Sequence, residues 1–320
     1  LGCPVGGKGS VDRNFLGHRA FRHDCTVYAD TLATELWWDS GHVVGVIGRM
    51  RDPETKRLGP MIWVRARQTV VSGGAIGTAR FLLSTGAVNN AHLGRHLRVH
   101  PTGSLYAYFG ETIRLWNGAT QGVYGHDPDH PDILLEAFSV TAEILFAQAA
   151  EAGQNGKDFL ASVHEMAATG FLLRDESEGS VALRDRGRAS VTYELNDSDL
   201  GKMIDGLRLS ARVMFAAGAE RVKPGVWPVE FCSSMAEIEA QLSHPVGKAD
   251  VHSYASHPQG TCRMAQRPED GVVDSRGAVF GVPGLWVADA SLFPSALGRN
   301  PQMTVMAFAL NVAEQLLEAL

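Results

Sequence analysis

Gly284-Leu285-Trp286-Val287-Ala288-Asp289-Ala290-Ser291-Leu292-Phe293-Pro294 reads as a buried strand that ends in an acidic residue and a tight turn. Upstream stands Ser256-His257-Pro258-Gln259-Gly260-Thr261-Cys262-Arg263-Met264, and downstream Asn300-Pro301-Gln302-Met303-Thr304. A strand, an acid at its carboxyl end and a polar residue opening the next helix is how open α/β sheets present groups to a bound nucleotide. His257 and Asn300 thus lie some forty residues apart, each in its own Pro/Gly-marked turn.

Working outward, the chain has 320 residues, enough for one large domain or two moderate ones. A hydrophobic fraction of 45% with 20% charged residues is ordinary for a globular protein. The net charge of -6 gives no electrostatic case for nucleic acid or an anionic membrane. Cys3, Cys25, Cys232 and Cys262 show no CxxC spacing and no disulfide framework, so reduced thiols in a cytoplasmic protein are expected. The most apolar long stretch, 133–150, carries Glu136 and Glu143 and reads as a core segment, not a membrane span.

Three segments are expected: 1–104, 105–250 and 251–320. In the first, strand-like runs cover 25–28, 43–47 and 62–71, with Asp39-Ser40-Gly41 as a hairpin turn. Ser72-Gly73-Gly74-Ala75-Ile76-Gly77 then leads into a helix over 78–84, closed by Gly86. In the second, 170–174, 180–184 and 190–195 read as an antiparallel meander with turns at Glu178-Gly179 and Arg186-Gly187. Asn196 caps an amphipathic helix over 200–217 that Gly218 stops. The third holds the His257 motif, the Asp289 strand and a helix from 301 to 320, with Asn300 as N-cap and Pro301 at the first helical position.

Each candidate has a plain reading. Asn300-Pro301 is a good helix start whether or not a ligand faces it. Its functional reading is a helix N-terminus whose dipole favours developing negative charge. His257 gains weight from Pro258 and Gly260, which allow close backbone approach, and histidine exchanges protons with a hydroxyl near neutral pH. Cys262 could be a nucleophile or metal ligand with His257, but no second ligand cluster accompanies it, and no metal is expected. Asp289 also suits a turn after a strand. Ser72-Gly73-Gly74-Ala75 fits a phosphate or adenine approach yet lacks GxGxxG spacing. Arg95, His96 and His100 could line a site, although surface placement is the base expectation.

Together these blocks resemble the glucose–methanol–choline (GMC) flavoprotein oxidoreductases. The resemblance rests on the 257–264 block, Gly271-Val272-Val273-Asp274, the 284–291 block, Asn300-Pro301-Gln302-Met303-Thr304, the glycine-rich run from Ser72 to Gly86, and 93–101. Ala79 and Ala265 stand where the family carries proline and glycine. The Asn-Pro pair, Leu173-Arg174-Asp175 and Ala216-Ala217-Gly218-Ala219 lean toward the long-chain alcohol oxidase-like branch.

The resemblance implies an α/β (α+β) fold: a partial FAD-binding domain, plus a substrate domain with an antiparallel sheet and helices. It implies FAD as cofactor and His257 with Asn300 as the active-site pair. It further implies Asp289 and Ala290 along the ribityl and pyrophosphate, and Pro301, Gln302 and Thr304 at the isoalloxazine. Ala33, Ser72 and Gly73 are implied near adenine. The implied reaction oxidises a hydrophobic small-molecule alcohol to a carbonyl, with apolar walls such as Phe138, Leu145 and Phe171. The same scaffold could host a lyase or decarboxylase, or the chain could be a non-catalytic subunit. Because the family's glycine-rich βαβ unit is not seen and Leu1 runs straight into a turn-rich segment, the expectation is a C-terminal fragment. Such a fragment lacks the N-terminal Rossmann unit, or takes it from a partner chain.

Overall fold

β1 (Thr31–Asp39), β2 (His42–Arg51) and β3 (Leu58–Arg65) form an antiparallel sheet in the order β1-β2-β3. The computed structural model describes residues 5–17, 25–117, 121–149 and 153–320. The β1–β2 hairpin turns at Asp39, Ser40 and Gly41, as the sequence predicts, with Ser40 and Gly41 both at positive φ. Residues 25–28 form no strand, and Cys3 lies outside the described residues. The single run expected over 62–71 is two strands, β3 and the short β4 (Thr69–Val71). The chain then enters α1 (Gly74–Thr85), which ends on Gly86 at φ 62, the left-handed C-cap that glycine adopts without a Cβ penalty.

The middle of the chain builds a second, larger sheet. Its strands are β5 (Thr102–Tyr108), β6 (Tyr124–His126), β7 (Ile133–Ala137) and, after α2 (Ala142–Ala149) and α3 (Gly153–Ser162), β8 (Met166–Leu173). A separate hairpin follows, β9 (Ser180–Arg184) with β10 (Arg188–Thr192). Next come α4 (Asp197–Ala216), β11 (Arg221–Pro224), α5 (Met235–Leu242) and β12 (Ser253–Tyr254). The sheet order is β11-β5-β8-β7-β6, with β12 also on β5. Strand β5 crosses the expected boundary at 104, and β12, beyond the one at 250, joins the same sheet.

The expected meander does not form: β8 pairs with β5 and β7, and β9 pairs with β10 alone. The reason is burial. β8 is almost wholly enclosed, so it needs neighbours on both edges and cover on both faces. α4 supplies one cover, capped by Asn196, whose side chain accepts from the Asp199 N–H at 2.7 Å. Between sheet and helix the Phe171 ring lies against Gly103 of β5 and Gly206 of α4.

The last strand, β13 (Leu285–Val287), returns to pair in parallel with β4, Trp286 opposite Val70. Leu285, Trp286 and Val287 are buried with Leu36, Val43, Phe81 and Leu82 in a core distinct from that of the large sheet. The closing helix, α6 (Gln302–Glu318), buries only Val312, while Met303, Leu310 and Leu317 stand exposed at seven-residue spacing. Among the described residues no helix is long and apolar enough to cross a membrane.

Candidate active site

Asp289, just beyond β13, is buried and fully engaged. Its Oδ2 accepts from the Gly74 N–H at 2.9 Å and the Thr78 hydroxyl at 2.5 Å, and its Oδ1 accepts from the Ser291 N–H at 2.8 Å. A carboxylate at the start of α1 is favoured by the helix dipole. These donors are therefore held by the protein and are not offered to a phosphate. Ala290 joins the same knot, its carbonyl accepting from the Gly260 N–H at 3.1 Å. The β13 turn is thereby tied to the His257 segment.

On the outer side of α1, a cleft of about 270 Å³ is lined by Leu32, Ala33, Val46, Ser72, Gly73 and Phe81, among others. Three of the residues singled out in the sequence, Ala33, Ser72 and Gly73, thus share one largely apolar cleft. Open space lies over the Cα atoms of Gly74 and Gly77.

A second cavity, about 280 Å³, opens at the end of the large sheet. His257 lines it with Tyr254, Glu136, Phe138, Thr102 and Gln121. His257 is half-buried, and burial holds its imidazole below the usual histidine range. Its Nδ1 is buried without a hydrogen-bond partner among the described residues. Asn300 is exposed and donates its amide N–H to Glu136 on β7. Desolvation holds that carboxyl above the usual range, with the Asn300 bond opposing it. Burial pushes the Tyr254 phenol up to about 12, with Tyr106 and Glu136 adding to the shift.

Three expectations need correction. The helix begins at Gln302 with Pro301 in the cap position, and Asn300 is turned toward the sheet instead of capping. His100 is not at the surface but fully buried, its ring 5.6 Å from that of His257. Leu145 does not reach the cavity; it packs in a separate core with Tyr106 and Phe159. Cys262 is buried completely, which pushes its thiol up to about 12 and removes it as a nucleophile at neutral pH. Among the described residues no cluster of three or more His, Cys, Asp or Glu could hold a metal ion.

Sequence reasoning missed Glu136, Tyr254 and Gln259. Glu136 did carry a signal: it is an acid inside the apolar run 133–138. Pro301, Gln302 and Thr304 follow Asn300 into the first turn of α6, with Gln302 exposed and Thr304 partly covered.

The chain matches the GMC oxidoreductase family twice, its N-terminal part over residues 1–102 and its C-terminal part over 175–309. An uncharacterized GMC-type oxidoreductase of Mycobacterium tuberculosis is 30% identical over 98% of this chain and 49% of its own length. A long-chain-alcohol oxidase of Arabidopsis thaliana is 28% identical over 99% of this chain and 46% of its own length. The chain thus spans about half the length of these curated relatives. Formate oxidase of Aspergillus oryzae superposes with a TM-score of 0.67 at 18% identity, covering 89% of this chain and 59% of that chain. Pyridoxine 4-oxidase from Mesorbium loti gives 0.60 at 19%, covering 89% and 57%. The match at residues 1–102 overturns the expectation of a chain confined to the family's C-terminal part and lacking its N-terminal unit. The sheet β1–β3, β4 and α1 fall within that N-terminal match.

Proposed function

We propose that this chain, which belongs to the GMC oxidoreductase family, takes part in oxidising an alcohol CH–OH group to a carbonyl. FAD is the cofactor of the family, and when bound it supplies the hydride acceptor. The observation that carries the reading is one cavity bordered by His257 and by Glu136, the hydrogen-bond partner of Asn300.

In this reading His257 accepts the substrate hydroxyl proton. Burial keeps its imidazole neutral near pH 7, the state a base requires. Asn300 holds the same oxygen with its remaining amide N–H, while Glu136 fixes the rotation of the carboxamide. Ala33, Ser72 and Gly73 would take the adenine end in the apolar cleft. Ala290, Pro301, Gln302 and Thr304 would follow the cofactor toward the reacting centre, and Asp289 would hold that segment in place. Residues 1–104 and 251–320 would form the cofactor half and 105–250 the substrate half. The cavity mixes Phe138 with Glu136, Gln121 and Thr102, so a small alcohol suits it better than an all-apolar chain.

The test is to load the chain with FAD and mix it anaerobically with an alcohol series. Bleaching of a bound flavin by an alcohol is expected. A bound flavin that no alcohol bleaches would reject the reading and turn attention to lyase or decarboxylase chemistry.

A further inference from the structure

We propose that His100 is a positioning residue: a neutral, buried imidazole that clips the His257 loop and the Asn300 loop together through one nitrogen. The proposal rests on the reading of His257 and Asn300 as the reacting pair. His100 Nε2 accepts from the Gly298 N–H at 2.9 Å, and it meets the Gln259 Nε2 at 3.1 Å. Gly298 lies two residues before Asn300, and Gln259 two residues after His257. The same Gln259 amide donates to the His257 carbonyl at 3.2 Å. A single ring nitrogen therefore controls both loops at equal distances from their functional side chains.

The protonation state follows from the partners. A backbone N–H only donates, so in the neutral ring Nε2 carries the lone pair and the proton sits on Nδ1, which is buried without a hydrogen-bond partner among the described residues. That choice also orients Gln259, whose NH₂ has to face the ring. Protonating Nε2 would set two N–H groups against each other in a fully buried place, with the His257 ring alongside. The ring cannot swing away. Its backbone sits at φ 52, unusual for a residue with a side chain. Asp175 holds it there, accepting from the Val99 N–H at 3.0 Å, the His100 N–H at 3.3 Å and the Tyr193 hydroxyl at 2.8 Å. Arg174 steadies the second loop, donating to the Ala296 carbonyl at 3.2 Å.

The test is ¹⁵N NMR of the histidine-labelled full chain, read first without any substrate. The His100 signal, identified by its loss on substitution, should show a protonated Nδ1 and a bare Nε2, unchanged from pH 8 to pH 5. An Nε2–H tautomer, or titration above pH 6, would overturn the proposal even where every variant misfolds. The variants add a second readout. His100→Gln retains an acceptor at the Nε2 position, whereas His100→Asn reaches only the Nδ1 position. The His257 signal should move in His100→Asn and return in His100→Gln. In FAD-loaded protein, kcat should fall roughly 10-fold or more in His100→Asn and stay within about threefold in His100→Gln. Equal losses in the two would reduce His100 to a space-filler. No alcohol turnover in the unsubstituted chain would reject the alcohol reading, while the NMR result would still decide the clip.

Discussion

The Asp289 carboxylate accepts the Thr78 hydroxyl at 2.5 Å across 211 residues of chain. This bond joins the turn after β13 to the first turns of α1 and so brings the two outer parts of the sequence into one unit. Removing the acceptor would strand the Thr78 hydroxyl and the Gly74 N–H in or near the core. Asp289→Ala should therefore cost about 3–5 kcal/mol, the sum expected for buried donors losing a charged acceptor. Urea unfolding would measure it, and a loss under about 1 kcal/mol would show that the joint is not structural.

Gly206 lies inside α4, where replacing glycine by alanine ordinarily gains up to ~1 kcal/mol. Here the added Cβ would come within 2.5 Å of the Phe171 ring, which Gly103 blocks from the other side. Overpacking wins, and Gly206→Ala should lose roughly 1–3 kcal/mol. Thermal melts of the two proteins decide the sign.

Burial of His100, with the nearby His257 adding to it, holds the folded imidazole at about 4 against 6.5 for the free side chain. Above pH 6.5 both states are neutral and the residue contributes nothing to the pH dependence. Between pH 6.5 and 4 the unfolded chain binds the proton and the folded chain does not, so stability falls as pH falls. The full loss is on the order of 3 kcal/mol. The slope of urea stability against pH in this window should flatten in His100→Gln.

His257→Ala should lower alcohol-dependent flavin reduction by roughly two or more orders of magnitude, the usual scale for losing a general base. Stopped-flow traces of flavin absorbance give the rate directly. Near-normal reduction would remove His257 from the reaction.

Glu136→Gln keeps an oxygen that can accept from Asn300, whereas Glu136→Ala leaves the carboxamide free to rotate. Turnover is expected within a fewfold of the unsubstituted protein in the first and about tenfold lower in the second. If both variants behave alike, Glu136 does not orient Asn300.

Local elements were legible in the sequence because their causes lie within a few residues. The Asp39-Ser40-Gly41 turn, the Gly86 stop, the Asn196 cap and the apolar strand before Asp289 all formed as their side chains dictate. The blocks around Ser72, His257 and Asn300 also carried the family, which the two family matches support. Partners were not legible. β8 looked like the first strand of a meander with β9, yet it pairs with β5, some sixty residues earlier, because a strand buried on both faces needs a partner on each edge. Asn300 looked like a cap and instead reaches Glu136, 164 residues away. His100 looked like a surface histidine and is fully buried, its ring beside that of His257. Propensities and caps act along the chain, so the sequence alone determined the local turns, caps and helix stops. The burial of each face and the pairing of each polar group depend on segments far apart in the chain, and only the tertiary structure decided those.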